Sequence, residues 1–462
     1  MLDARPKAFL YGRADLRHAV ERALFFRLVN DAQLQAFFDA IMDGREGTMP
    51  EDPWAATLAP FLENPAVTRP QVPGLAAAKL IRNRVGNLLR LGRRSFHTGG
   101  LLARPRVLFL AIHPKFVSFM APIIQSVGME AAVLIPEDAA LEEHLVKENR
   151  PFVALRTAFS RTRPPSPVLA HLPELCRIFD SMAVMLDTLR PGVIAVPEGN
   201  APIYEIANRA AQIRGIPTIC LQHGAPAYTN PGFRNWSFTD VFVWGERFIE
   251  PFARYNPRQH FTITGTPAML PPRRTIVKNA PIQNVGFFLQ KGATVIPHPE
   301  WIMLLEFIGW MAATYPDIAV VVRDHPSQGP LTDAELKLVG QHPNLRFMSP
   351  GQHSLNDVLS ICDVVAAAAS TTLLEAVEAG AIPFIFGSSY PRDFPALAEV
   401  QAAAFAPDMQ TAKAVFAQLM QEPALRANLR MAGENVASSL FAASGRVGAR
   451  RIAEALKNKI SA

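Results

Sequence analysis

The chain has 462 residues, 49% of them hydrophobic and 19% charged, with a formal net charge of +6. That length exceeds one ordinary core, so two domains plus additions are expected, and the composition excludes a disordered or low-complexity protein. Three cysteines, Cys176, Cys220 and Cys362, are too scattered for a disulfide framework or a zinc site, which points to a reducing compartment.

The first residues, Met1-Leu2-Asp3-Ala4-Arg5, show no basic region leading into an apolar core, so no secretion signal is expected and the protein is predicted to be cytoplasmic. Residues 1–100 look helical. Leu16 to Val29 and Asp31 to Met42 carry apolar residues at i, i+3, i+4 spacing, and no strand-like alternation appears. Between Glu63 and Glu130 there is no acidic residue, while Arg69, Lys79, Arg82, Arg84, Arg90, Arg93, Arg94, Arg104, Arg106 and Lys115 fall in that window. Within it Ala78, Ile81, Val85, Leu88 and Leu89 recur at helical spacing. A basic amphipathic helix suits an anionic membrane surface; the alternative is a packed helix with a solvated basic face. Nucleic acid is a weaker option, because aromatic residues are not interleaved with the charges.

From Arg106 onward short apolar runs alternate with helical segments. Predicted strands are Val107 to Ile112, Ala131 to Ile135, Phe152 to Leu155, Val193 to Val196, Thr218 to Leu221, Val241 to Trp244 and Phe261 to Thr264, with helices at Pro173 to Leu189 and Ile203 to Ile213. Pro267 to Pro281, with its prolines and Arg273-Arg274, reads as a linker. A second series follows: Val285 to Leu289, Ile318 to Val322, Leu345 to Met348, Val364 to Ala367 and Ile382 to Phe386, then a helical tail from Thr411 that ends in Arg446 to Lys457. Trp301 to Ala313 is apolar but short and carries Glu306, so it is expected as a buried helix rather than a membrane span. The expected class is therefore α/β, with two Rossmann-like parallel-sheet domains at 101–270 and 271–462 and a helical, basic N-terminal extension at 1–100.

Polar clusters stand where these strands end, the edge at which open α/β sheets bind ligands. The strand Ile318 to Val322 runs into Arg323-Asp324-His325-Pro326, where proline stops further regular structure and the imidazole can donate to a phosphate oxygen. By contrast His342-Pro343 precedes its strand and is assigned to a turn. The run Val364 to Ala369 ends in Ser370-Thr371-Thr372 at a helix start, a place suited to anions. Thr372 and Glu375 have the spacing of a capping box, which by itself requires no ligand. In the first half Val193 to Pro197 runs into Glu198-Gly199-Asn200, placing a carboxylate at a strand exit as a general base needs. Thr218 to Leu221 runs into Gln222-His223-Gly224, and Val285 to Leu289 into Gln290-Lys291-Gly292, where a lysine could neutralise phosphate. His113 stands at the equivalent exit of the first strand. No D-x-D motif is present, so no metal or other cofactor is expected.

The succession Glu198-Gly199, then Ile216 to Gly224 (IPTICLQHG), Thr239 to Phe248 (TDVFVWGERF), Ile263 to Pro267 (ITGTP), Arg323 to Pro326 (RDHP) and Ala369 to Ala376 (ASTTLLEA) resembles the GT-B superfamily over residues 106–390. Within it the chain is most similar to bacterial surface-polysaccharide transferases with H-P and S/T motifs: sialyl-, polysialyl- and Kdo transferases and CDP-glycerol glycerophosphotransferases. In the sialyltransferase-like members a D/E-D/E-G motif supplies the base; Pro197-Glu198-Gly199 keeps its second carboxylate and its glycine. In the glycerophosphotransferases the base is the histidine of an H-G pair, here His223. In both, the resemblance implies that His325 assists the departing cytidine phosphate and that Ser370 and Thr371 hold it. It also implies a metal-independent transfer from a CMP- or CDP-linked donor to a cell-surface, lipid-linked glycan by a protein peripheral to the inner membrane face. Nucleotide-sugar 2-epimerases share the general layout, and a non-catalytic assembly subunit with the same fold is a further alternative.

Overall fold

The computed structural model describes residues 10–28 (without 12), 96–97, 105–155, 167–225, 231–291 (without 276), 296, 298–325, 329–387 (without 369), 397 and 400–461. The expected helices at Asp31 to Met42 and around Ala78 to Arg94 lie outside them, as do Gly292 and Pro326.

The chain begins with a short antiparallel pair, β1 (Leu10–Tyr11) and β2 (Ala14–Asp15), and helix α1 (Arg17–Leu28); β3 is Phe96–His97. The first large sheet then builds through β4 (Val107–Leu110), α2 (Pro114–Val127), β5 (Ala131–Pro136), α3 (Ala139–Lys147), β6 (Phe152–Leu155), α4 (Pro167–Leu189), β7 (Val193–Val196), α5 (Pro202–Gln212), β8 (Thr218–Leu221), β9 (Asp240–Val243), α6 (Ile249–Tyr255) and β10 (Phe261–Ile263). Its order is β10-β9-β8-β7-β4-β5-β6-β3, parallel throughout except that β3 runs antiparallel to β6. The strands are apolar at nearly every position because helices cover both faces. Val107 and Phe109 pack toward α2, α3 and the C-terminal helix, while Leu108 and Leu110 pack toward α4 and α5.

The second sheet comprises β11 (Asn284–Phe288), α7 (His298–Thr314), β12 (Ala319–Arg323), α8 (Asp333–Val339), β13 (Leu345–Phe347), α9 (Leu355–Ile361), β14 (Val364–Ala367), α10 (Thr372–Ala379), β15 (Ile382–Phe386) and β16 (Ala404–Ala406), followed by α11 (Met409–Gln421), α12 (Pro423–Leu440) and α13 (Gly445–Ser461). Its order is β13-β12-β11-β14-β15-β16, all parallel. Among the described residues no ladder joins the two sheets: β10 is the last strand of the first and β11 the first of the second. The segment between is tied to the second domain by two buried arginines of α12. Arg426 donates to the Ala280 and Asn279 carbonyls at 2.9 and 3.2 Å, and Arg430 to the Lys278 carbonyl at 3.0 Å.

The chain crosses between the domains twice, and the crossings run side by side. The Thr266 amide donates to the Ala443 carbonyl at 2.9 Å, and the Gly445 amide to the Ala268 carbonyl at 2.8 Å. Helix α13 thereby returns to the first domain, where Ala449, Ile452, Ala453 and Leu456 are buried in the cluster that contains α2. Among the described residues no helix is long and apolar enough to cross a membrane.

The N-terminal expectation needs two corrections. Strands β1 to β3 stand where only helix was expected; each is two residues long, too short to show alternation. Helix α1 also packs on α4 and α5 of the first domain, with Leu16, Ala19 and Val20 buried.

Candidate functional site

Each sheet has a point where its strand order reverses. In the first, the chain moves outward from β4 through β5 and β6, then returns to place β7 on the other side of β4. In the second, β12 and β13 lie on one side of β11, and β14 to β16 on the other. Crevices open beyond the carboxyl ends of the strands at such points. The predicted residues follow the strands that border them: His113 after β4, Glu198 after β7, His223 after β8, Lys291 after β11, His325 after β12 and Ser370 after β14. Strands β12 and β14 flank β11, so their ends are two strand spacings apart, roughly 10 Å.

Glu198 is half-buried, and its carboxyl is surrounded by protein atoms. That desolvation raises its pKa from 4.5 to about 7, against the opposing pull of Lys115 and a hydrogen bond from Asn200. The turn behind it is tightly held. A Cβ on Gly199 would lie 2.5 Å from Trp236 Nε1, and that indole is fixed by donating to the Gly232 carbonyl at 2.6 Å. From the other side Arg22 Nε of α1 donates to the Gly199 carbonyl at 2.7 Å.

His223 packs edge-on against Phe116 and Phe119, with ring centroids 5.0 and 4.8 Å away. Desolvation, with the nearby Lys115 charge, pulls its pKa down to about 3, so the ring is neutral near pH 7. Gln222 is turned inward: its side-chain oxygen accepts from the Trp244 amide and its carbonyl from the Trp244 indole, each at 2.8 Å. It supports the turn rather than facing a ligand. His113 caps α2, its Nδ1 accepting from the Lys115 amide at 3.1 Å.

In the second domain His325 is partly buried, and desolvation followed by the Lys115 charge lowers its pKa. Lys115 therefore acts on Glu198, His223 and His325 together, groups that belong to both domains. The rims also touch directly, because the Ala225 amide donates to Thr371 Oγ1 at 3.3 Å. Gly224 permits this approach; a Cβ there would lie 3.3 Å from the same hydroxyl. Arg323 is buried and reaches the Met348 carbonyl at 3.4 Å, so it braces the strand exit.

Two expected roles are corrected. Thr372 and Glu375 do not form a capping box. Helix α10 starts at Thr372 itself, and Ser370 Oγ accepts from the Thr372 amide at 3.3 Å while donating to the Thr372 hydroxyl at 3.0 Å. Glu375 is left desolvated, with its pKa raised from 4.5 to about 7. Lys291 does not stand free for phosphate: its ammonium is hydrogen-bonded to the Glu335 carboxylate, which also accepts from the Trp301 indole at 2.8 Å. Gln290 is half-buried at the same turn.

No protein-family model and no curated protein sequence matches the chain. Solved structures are similar to it. A putative UDP-N-acetylglucosamine 2-epimerase from Listeria monocytogenes matches 76% of this chain and 94% of its own, at 12% identity and a TM-score of 0.53. The S. aureus MnaA–UDP co-structure matches 77% and 96%, at 12% identity and 0.52. CalG4, the calicheamicin glycosyltransferase, matches 77% and 99%, at 14% identity and 0.51. The chain has the GT-B fold. Within that GT-B frame, Lys115 and Arg22 are the residues that sequence reasoning passed over. Lys115 was one charge in a basic stretch, and only its place at the first residues of α2, directly after β4, could have marked it. Nothing local to Arg22 signals its partner, which lies 177 residues away.

Proposed function

We propose that this protein is a GT-B glycosyltransferase that moves a sugar, or a polyol phosphate, from a nucleotide-activated donor to a cell-surface glycan. The observation that supports the reading is the contact of the two strand-exit rims, the Ala225 amide on Thr371 Oγ1, with the Lys115 charge acting on both the desolvated Glu198 carboxyl and His325. An acceptor hydroxyl gives its proton to Glu198 as its oxygen attacks the donor's anomeric carbon. The bond from that carbon to the nucleotide phosphate breaks, and the charge gathering on the phosphate is met by Lys115, an imidazole N–H of His325, the hydroxyls and the start of α10. In this reading Glu375, one turn into that helix, accepts hydrogen bonds from donor hydroxyls, while Asn200 keeps the Glu198 side chain in place. His223, too weak a base at about pKa 3, serves as a neutral hydrogen-bonding wall. Glu198 is therefore preferred as the base.

A second reading is a nucleotide-sugar 2-epimerase, favoured by likeness to the Listeria protein and by UDP in the S. aureus co-structure. Incubation with C2-tritiated nucleotide sugars carrying cytidine, uridine or guanosine separates the readings. Transfer or donor hydrolysis supports the first, washout of tritium from C2 the second, and binding without either an assembly subunit. A cytidine donor is the expected outcome.

The acceptor is proposed to be lipid-linked, with basic residues of the acid-free stretch meeting anionic lipid. Two of those cations are already engaged: Arg106 pairs with Glu130 at 3.2 Å, and the Lys115 ammonium lies over the Phe116 ring, 4.6 Å from its centroid. Membrane attachment thus falls to the remainder, in residues outside those described.

A further inference from the structure

The least exposed cation in the first domain comes from outside its sheet. Arg22 of α1 is 1% exposed, and a guanidinium is costly to bury unless it is paired. Its Nε donates to the Gly199 carbonyl at 2.7 Å and its Nη1 to the His18 carbonyl at 3.1 Å. Nη1 also lies 3.5 Å from Glu205 Oε2, whose other oxygen accepts from Arg209 at 2.7 Å. Gly199 directly follows Glu198, and Glu205 sits in the first turn of α5, which starts three residues after Gly199. Nε and Nη1 therefore reach both ends of one turn, Nη2 being buried without a hydrogen-bond partner, while Trp236 fills the space beside Gly199.

We propose that Arg22 is a positioning residue for Glu198: by bridging the Gly199 carbonyl and the Glu205 carboxylate it fixes the turn that presents Glu198 to the crevice. An apolar side chain could fill the same volume, but it would leave the buried Gly199 carbonyl without its partner and the Glu205 carboxylate with Arg209 alone. Released on that side, the turn loosens and water reaches the Glu198 carboxyl. This inference rests on Glu198 being the base, and its test is read without substrate.

Protein labelled with 13C at glutamate carboxyls is titrated by NMR, the Glu198 signal being the one lost in Glu198→Gln. Wild type should titrate near the value of about 7. In Arg22→Gln the midpoint should fall by at least about one pH unit toward 4.5 as the carboxyl is rehydrated. Arg22→Lys keeps the charge for Glu205 but loses the fork, so it should fold and titrate in between. The other groups around Glu198, namely Lys115, Tyr204 and Cys220, are untouched in these variants. With whichever donor the enzyme turns over, kcat of Arg22→Lys should drop about ten- to a hundredfold with KM little changed, as for a misplaced group. A folded Arg22→Lys or Arg22→Gln whose Glu198 midpoint equals wild type, whatever its Tm, would overturn the proposal. Failure of the functional reading looks different: Glu198→Gln would retain transfer.

Discussion

Glu198 and His223 occupy neighbouring strand exits and are shifted in opposite directions by the same cause, loss of water. Their consequences for rate and stability can be separated. Glu198 must be ionised to accept a proton, so kcat/KM should rise tenfold per pH unit in acid and level off above about pH 7. Glu198→Gln should lower kcat by about 10²–10⁴ above about pH 7, and by progressively less in acid, where wild type loses its base too. Stability moves the other way. The folded state keeps the Glu198 proton up to about pH 7, whereas the unfolded chain loses it near 4.5, so this residue makes stability fall as pH rises through that window. Glu198→Gln should accordingly be more stable than wild type at pH 8, by about 1–3 kcal/mol in urea denaturation. His223 has the opposite sign. The unfolded chain takes up its proton below about 6.5 and the folded one only near 3, so stability falls as pH drops through that range, and His223→Asn should flatten this limb. On the second domain, His325→Ala should reduce kcat by about 10²–10³ with a smaller loss of donor affinity, the scale for removing one charge-stabilising donor.

Among the elements, the turn Pro197–Ala201 is held closely, by Arg22 and by Trp236. Gly199→Ala would drive a methyl group against the Trp236 indole, so it should destabilise by about 1–3 kcal/mol and slow the reaction through displacement of Glu198. Equal Tm and equal kcat in Gly199→Ala would contradict this picture of the turn. Elements of this kind are also where the sequence was most legible. Strands such as Val107–Leu110 and Val364–Ala367 are buried on both faces, so they appear as unbroken apolar runs with polar residues at their exits. Glu198, His223 and His325 could be found for that reason. Ala404–Ala406 was missed because alanines give no strand preference, and Phe96–His97 because two residues give no period. The commitment of Lys291 to Glu335 spans 44 residues, and the grip of Arg22 on Gly199 spans 177; neither leaves a local trace. The capping motif at Thr372 misled because the helix starts on that residue instead of after it, whereas Ser354 with Asp357 forms a true box at α9.

At the scale of the whole molecule, two domains are joined by paired crossings and meet at Lys115, His325 and the Ala225–Thr371 contact. The proposed lipid-linked acceptor brings this assembly to a bilayer. Wild type should sediment with vesicles containing anionic lipid, less so as salt rises, and a variant with Arg82, Arg90, Arg93 and Arg94 changed to Glu should not. Equal pelleting of the two proteins would assign those residues to packing.

The return of α13 to the first sheet has a consequence for how the protein is made. Its partner α2 lies more than three hundred residues earlier, so the first domain stays open along that flank until residues 445–461 have been synthesised. The second sheet and its helices, by contrast, come from one continuous stretch ending at Leu440. During translation the later half can therefore close before the earlier half. The exposed face of α2, with Val117, Met120 and Ile124, is then the surface that chaperones would meet on a nascent chain, and α13, emerging more than three hundred residues later, is the helix that shields it.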